Sequence, residues 1–146
     1  MNKKIMNYQA ADTLGRSSVE LVVKVYDGAI GSLRQAAEAY SNEDFQKGYE
    51  FIEKAKRFVV HLYTTLDEEK GQDVARNLSQ LYAYVIEKMN IVQATKDLGL
   101  INESISVLGN VRSGWEQLAE QLKKQAPDAG NEHSEPGSVR GFSLSI

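Results

Sequence analysis

The stretch SSVELVVKVYDGAIGSLRQAAEAY, residues 17–40, sets Val19, Val22, Tyr26, Ala29, Leu33, Ala36 and Tyr40 at steps that alternate between three and four residues. That spacing lines one face of an α-helix and predicts that the face is buried. Val23, Ile30 and Ala37 widen it. Ser17 stands where a hydroxyl can cap the free amides of the first turn, and Glu20, three residues on, completes a capping box.

The same rhythm continues outward. After Ser41-Asn42, Phe45, Gly48, Ile52, Ala55, Val59, Leu62 and Leu66 predict a second helix. After a turn at Asp67–Gly71, Ala75, Leu78, Tyr82, Val85, Met89 and Val92 predict a third. Asp97-Leu98-Gly99 then separates a fourth, carrying Ile101, Ile105, Leu108, Val111, Trp115, Leu118 and Leu122. No proline interrupts the chain between Ser17 and Gln125. Helices of about 24 residues are about 36 Å long, and the short breaks join antiparallel neighbours. The expected fold is all-α, an antiparallel up-down-up-down four-helix bundle, favoured over an extended coiled coil by three breaks in so short a span.

Around this bundle (17–125) lie an N-terminal segment (1–16) and a C-terminal tail (126–146). The tail holds both prolines, Pro127 and Pro136, together with Gly130, Gly137, Gly141 and four serines, a composition expected to remain unpacked and flexible. Its end is distinctive: Phe142, Leu144 and Ile146 recur at steps of two, a pattern able to occupy an apolar groove of the free protein or of a neighbouring molecule.

A chain of 146 residues with no cysteine excludes disulfides, thiolate metal sites and a cysteine nucleophile. The net charge of -3 without a basic cluster speaks against nucleic acid, and no apolar run approaches the ~20 residues of a membrane span. A cytoplasmic address is expected. The only histidines are His61 and His133. His61, in the middle of the second helix, admits one enzyme-like alternative, a histidine phosphorelay bundle, yet Leu62, Tyr63, Thr64 and Thr65 follow where a basic residue and a glycine belong. A di-metal bundle needs Glu-x-x-His pairs, and Phe58 stands in the glutamate's place before His61. Neither a catalytic set, nor a metal site, nor a cofactor is expected.

Helix 2 carries more apolar bulk than one core stripe requires: Phe51, Ala55, Phe58 and Leu62 form a second line, with Tyr49 and Tyr63 beside it. Such a surplus either widens the core or lines a groove for a partner segment. Gly28, Gly31, Gly48, Gly109 and Gly114 all fall inside predicted helices. At about 1 kcal/mol each relative to alanine, they imply close backbone approach or room for a ligand.

The segments Val25-Tyr26-Asp27-Gly28-Ala29-Ile30 and Leu66-Asp67-Glu68-Glu69-Lys70-Gly71, continuing through Ala75-Arg76-Asn77-Leu78 to Leu81-Tyr82-Ala83-Tyr84, resemble the flagellar secretion chaperones of flagellin, the FliS family. Ser17, Arg112 and Trp115 fit the same pattern, over roughly residues 8 to 120, while Ser18 departs from a helix-opening proline and Gly114 from an alanine. The resemblance implies a cytoplasmic export chaperone that binds the disordered C-terminal region of flagellin, prevents its premature polymerisation and delivers it to the flagellar type III export gate, whose component FlhA would be the second partner. It implies no catalysis, and a monomer or weak dimer is expected. Groove candidates are Tyr26, Ile30, Phe51, Phe58, Leu62, Tyr63 and Tyr84. Tyr8 matches the family's N-terminal tyrosine, so Ile5 and Tyr8 are candidates for covering the empty groove or touching the export gate.

Overall fold

The computed structural model describes residues 16–125, and these form four helices: α1 Arg16–Ser41, α2 Phe45–Thr64, α3 Glu68–Thr95 and α4 Leu98–Gln125. The N-terminal segment up to residue 15 and the tail from residue 126, with Ile5, Tyr8, Phe142, Leu144 and Ile146, lie outside the described residues.

Three aspartates start three of the helices. Asp44 accepts from the Lys47 amide at 3.3 Å, Asp67 from Glu69 and Lys70 at 3.1 and 3.2 Å, and Asp97 from Gly99 and Leu100 at 2.8 and 3.3 Å. Each carboxylate satisfies amides left over at a helix start and places negative charge at the positive end of its dipole. Connections this short return the chain beside the helix it has just left.

Some boundaries differ from the sequence pattern. α1 already includes Arg16, which puts Ser17 inside its first turn and not at the cap. The Asp67–Gly71 turn is mostly helix: α3 opens at Glu68 and is kinked at Gln72, whose φ of 50° and ψ of -123° are not helical. The kink hides a turn of helix from any periodicity read forward from Ala75. Leu98 and Gly99 belong to α4, because left-handed Lys96 (φ 61°) closes α3 and Asp97 opens the next helix at once.

The helices form a ring in which α1 packs closely on α2 and α4, while α3 closes the ring more loosely against α2 and α4. All seven positions of the α1 stripe are buried, as are Ile52, Ala55, Val59 and Leu62 of α2 and Tyr82, Val85, Met89 and Val92 of α3. Phe45 is exposed instead. On α4 the buried positions are Ile101, Ser104, Leu108, Trp115, Ala119 and Leu122, and the expected Ile105, Val111 and Leu118 are only half-buried. Small side chains occupy two of the tight places, so larger ones stand at the rim.

At the centre, the Tyr26 and Tyr82 hydroxyls share a hydrogen bond of 2.5 Å, with ring centroids 6.3 Å apart and planes at 56°. Burial pushes both phenols above their ordinary value of 10.0. At Tyr26, hydrogen bonds to Tyr82 and Trp115 offset part of that rise. At Tyr82, the charge and the hydrogen bond of Tyr26 add to it.

Because the folded values are raised, the phenols' contribution to stability is fully present below pH 10 and is lost as pH climbs through the folded values. Urea unfolding midpoints should therefore be nearly level from about pH 7 to 9 and fall above about 10. Tyr82→Phe, which strips Tyr26 of this partner, should cost about 1–3 kcal/mol at pH 8 and flatten the alkaline fall.

Candidate functional site

The ring of helices has four outer seams, and the candidate residues are distributed among them. On the α1–α2 seam, the Phe58 ring lies against Gly28 so closely that a Cβ there would come within 2.5 Å of it. Gly48 admits the Tyr40 ring in the same way, at 2.7 Å. Phe51 lies seven residues before Phe58 and so shares its side of α2. Both phenylalanines are half-buried against the core, whereas Ala55 and Leu62 are within it. Much of the surplus apolar line on α2 thus widens the core toward α1.

Tyr63 faces the other way. It lies seven residues beyond Lys56, whose Nζ donates to Asn90 Oδ1 and Gln93 Oε1 of α3, both at 2.9 Å, and pairs with Glu53 at 2.8 Å. Gln93 Nε2 donates to Glu53 at 2.8 Å, closing a polar ladder between α2 and α3. The Lys56 hydrogen bond, followed by that of Gln93, holds the Glu53 carboxyl below its ordinary value. Tyr63, Tyr49 and Val60 are exposed on this flank of α2.

Tyr84 belongs to the third seam. Its hydroxyl donates to Glu103 of α4, which raises the phenol above its ordinary value, and Lys88 Nζ lies 4.9 Å from its ring centroid. Nearby in helical phase are half-buried Leu81 of α3 and Val107 and Val111 of α4. Ser104 Oγ on the same helix is buried without a hydrogen-bond partner.

On the α1–α4 seam, Arg112 Nε donates to Asp27 at 2.5 Å and its Nη1 to Glu116 at 3.0 Å. This accounts for an acid beside a buried tyrosine. Gly31 and Gly109, each within a turn of that pair in sequence, have open space where a Cβ would stand, as does Gly114. The Asp27–Arg112 bridge joins residues 85 apart and carries no periodic signal of its own.

Tyr26, Ile30 and Leu62 are buried, so they support the seams from beneath. Phe51 and Phe58 adjoin α1, Tyr63 adjoins α3, and Tyr84 adjoins α4; the seven candidates do not converge on a single pocket. His61 is exposed near the end of α2. Among the described residues no group of three or more His, Cys, Asp or Glu could hold a metal ion, and no helix is long and apolar enough to cross a membrane.

These features define an acidic, all-helical bundle whose outer seams present aromatic and aliphatic groups between polar bridges. The chain belongs to the FliS family: the model of that family, described as flagellar protein FliS, matches residues 1–122. Similar proteins include the flagellar secretion chaperone FliS of Campylobacter jejuni, 29% identical over 70% of this chain and 80% of its own, and that of Salmonella typhimurium, 29% identical over 77% and 84%. The flagellar secretion chaperone FliSB of Pseudomonas aeruginosa is 30% identical over 68% and 79%.

The glycines separate into two kinds that substitution will distinguish. Gly31→Ala and Gly109→Ala meet nothing and should each stabilise the free protein by up to about 1 kcal/mol. Gly28→Ala drives a methyl into the Phe58 ring, and an overpacking cost of about 1–3 kcal/mol should outweigh the gain in helix propensity. Thermal melts of the three variants check the signs.

Proposed function

We propose that this protein is a cytoplasmic export chaperone, without catalysis or cofactor, that holds the disordered C-terminal region of flagellin, prevents its premature polymerisation and brings it to FlhA at the flagellar type III export gate. Membership of a family of flagellar secretion chaperones supports the class. The observation that carries the client reading is the distribution of half-exposed apolar and aromatic groups over several seams: Phe51 and Phe58, then Tyr63, then Tyr84. A rigid ligand prefers one pocket, whereas an unfolded segment can wrap a surface and gain a little at each contact. Buried Tyr26, Ile30 and Leu62 give those contacts a fixed floor. A monomer or weak dimer suffices for this work. The phosphorelay alternative is disfavoured, because the family is that of secretion chaperones and His61 lacks a basic neighbour in the next turn.

Titration calorimetry of the full chain with a flagellin C-terminal segment tests the reading. Binding is expected, with Tyr63→Ala and Tyr84→Ala each weakening it by about 5–30-fold while the melting temperature stays within about 3 °C, as befits exposed positions. Absence of binding would overturn the client assignment. In this reading the N-terminal segment, with Ile5 and Tyr8, covers part of the client surface of the empty chaperone and contacts the gate after loading. Deleting residues 1–8 should preserve flagellin binding and weaken capture of the loaded complex by FlhA; loss of flagellin binding would show that the segment clamps the client.

A further inference from the structure

The α3–α4 seam combines loose packing with an apolar lining. The Tyr84–Glu103 hydrogen bond fixes which sides of the two helices meet. Leu81 precedes Tyr84 by three residues, and Val107 and Val111 follow Glu103 at steps of four, so these apolar groups fall along the same sides, with Leu78, four residues before buried Tyr82, turned further toward the core. All four are half-buried, and Tyr84 is exposed. By contrast, the α1–α2 seam is closed by Phe58 seated on Gly28.

The chain itself supplies an occupant. Beyond Gln125, where α4 ends, a spacer rich in proline, glycine and acid leads to Arg140-Gly141-Phe142-Ser143-Leu144-Ser145-Ile146. In an extended conformation that alternation turns Phe142, Leu144 and Ile146 to one side and the serines to the other. Phe142 is 17 residues past Gln125, and a coil of that length has a root-mean-square span of about 21–25 Å. Val111 lies 14 residues back along α4, about 21 Å at the helical rise. Span and distance match, the condition under which a tether gives its highest effective concentration, of millimolar order. Arg140 is the only lysine or arginine after Lys124, and the Tyr84 end of the seam carries two acids, Glu87 and Glu103, against one base, Lys88.

We propose that residues Arg140–Ile146 dock in extended form on the α3–α4 seam of their own bundle, with Phe142, Leu144 and Ile146 against the Leu81, Val107 and Val111 lining and Arg140 toward Glu87 and Glu103. The tail is then an internal competitor of any client that uses this seam, a consequence that rests on the flagellin reading above.

The full chain carrying Phe142→Ser, Leu144→Ser and Ile146→Ser tests this without a client. Amide shifts in nitrogen-labelled protein should change along residues 78–88 and 103–111 and not around Phe51 and Phe58, amide exchange near Tyr84 should quicken by about three- to tenfold, and both effects should be independent of protein concentration. Unchanged bundle shifts, changes confined to another seam, or a concentration dependence that puts the tail on a second copy would each overturn the proposal. In a separate arm, the same variant should bind the flagellin segment about five- to tenfold tighter than the unaltered chain. Unchanged affinity together with the shift pattern would leave the docking in place and remove only the competition, and no flagellin binding by either chain would count against the client reading alone.

Discussion

The hydrogen bond between the buried Tyr26 and Tyr82 hydroxyls joins α1 to α3 across the ring and ties the most loosely packed helix to the most closely packed one. A phenol taken from water without a partner costs about 1–3 kcal/mol, so two of them buried on helices that share little lateral contact must find each other. Trp115 of α4 adds its hydrogen bond to Tyr26, giving three of the four helices a polar stake in one small volume. Slippage of α3 along its axis would break that bond before it exposed much apolar surface. The bond thus supplies register where lateral packing is weakest.

Close approach of α1 and α2 explains which surfaces remain available. Gly28, Ala29, Ser32, Ala36 and Ala39 leave little bulk on the flank of α1 that meets α2, and the rings of Phe58 and Tyr40 fill the space released at Gly28 and Gly48. The looser half carries exposed aromatic groups, Tyr49 and Tyr63 on the α3 side of α2 and Tyr84 on α3. There the connections between helices are polar bridges, Lys56 to Gln93 and Tyr84 to Glu103, with apolar groups between them. Such bridges hold two helices at a set distance without filling the space above the core.

The bundle itself was legible in the sequence because a 3.6-residue period, repeated over four segments, is a local signal that tertiary contacts only reinforce. The α1 stripe corresponds residue for residue to buried positions. The departures arise where the deciding contact is distant in sequence. Ser104 and Ala119 lie in the α4 core in helical phase with Ile101, Leu108 and Trp115, although neither stands out by hydrophobicity. The kink at Gln72 follows no breaker rule, since glutamine seldom adopts a positive φ. Among the candidate site residues, type and helix were readable, but the flank of each was not: Phe58 and Tyr63, five residues apart on α2, adjoin different neighbours. The Asp27–Arg112 bridge was recognisable only as an acid that burial did not explain.

The open glycines on the α1–α4 seam sharpen the contrast between the two halves. A helical glycine forgoes about 1 kcal/mol relative to alanine, and at Gly28 and Gly48 a packed aromatic ring offsets that loss. At Gly31 and Gly109 nothing among the described residues does so. The Asp27–Arg112 bridge, within a turn of both, joins α1 to α4 at the surface above buried Tyr26 and Trp115. The result is a strip of open helical backbone on the tight half of the ring. Binding along the loosely packed α3 orders the part of the ring with least lateral support and leaves the tight half undisturbed. Protection gained on binding should then be concentrated in α3, because local opening is governed by the contacts each element already has.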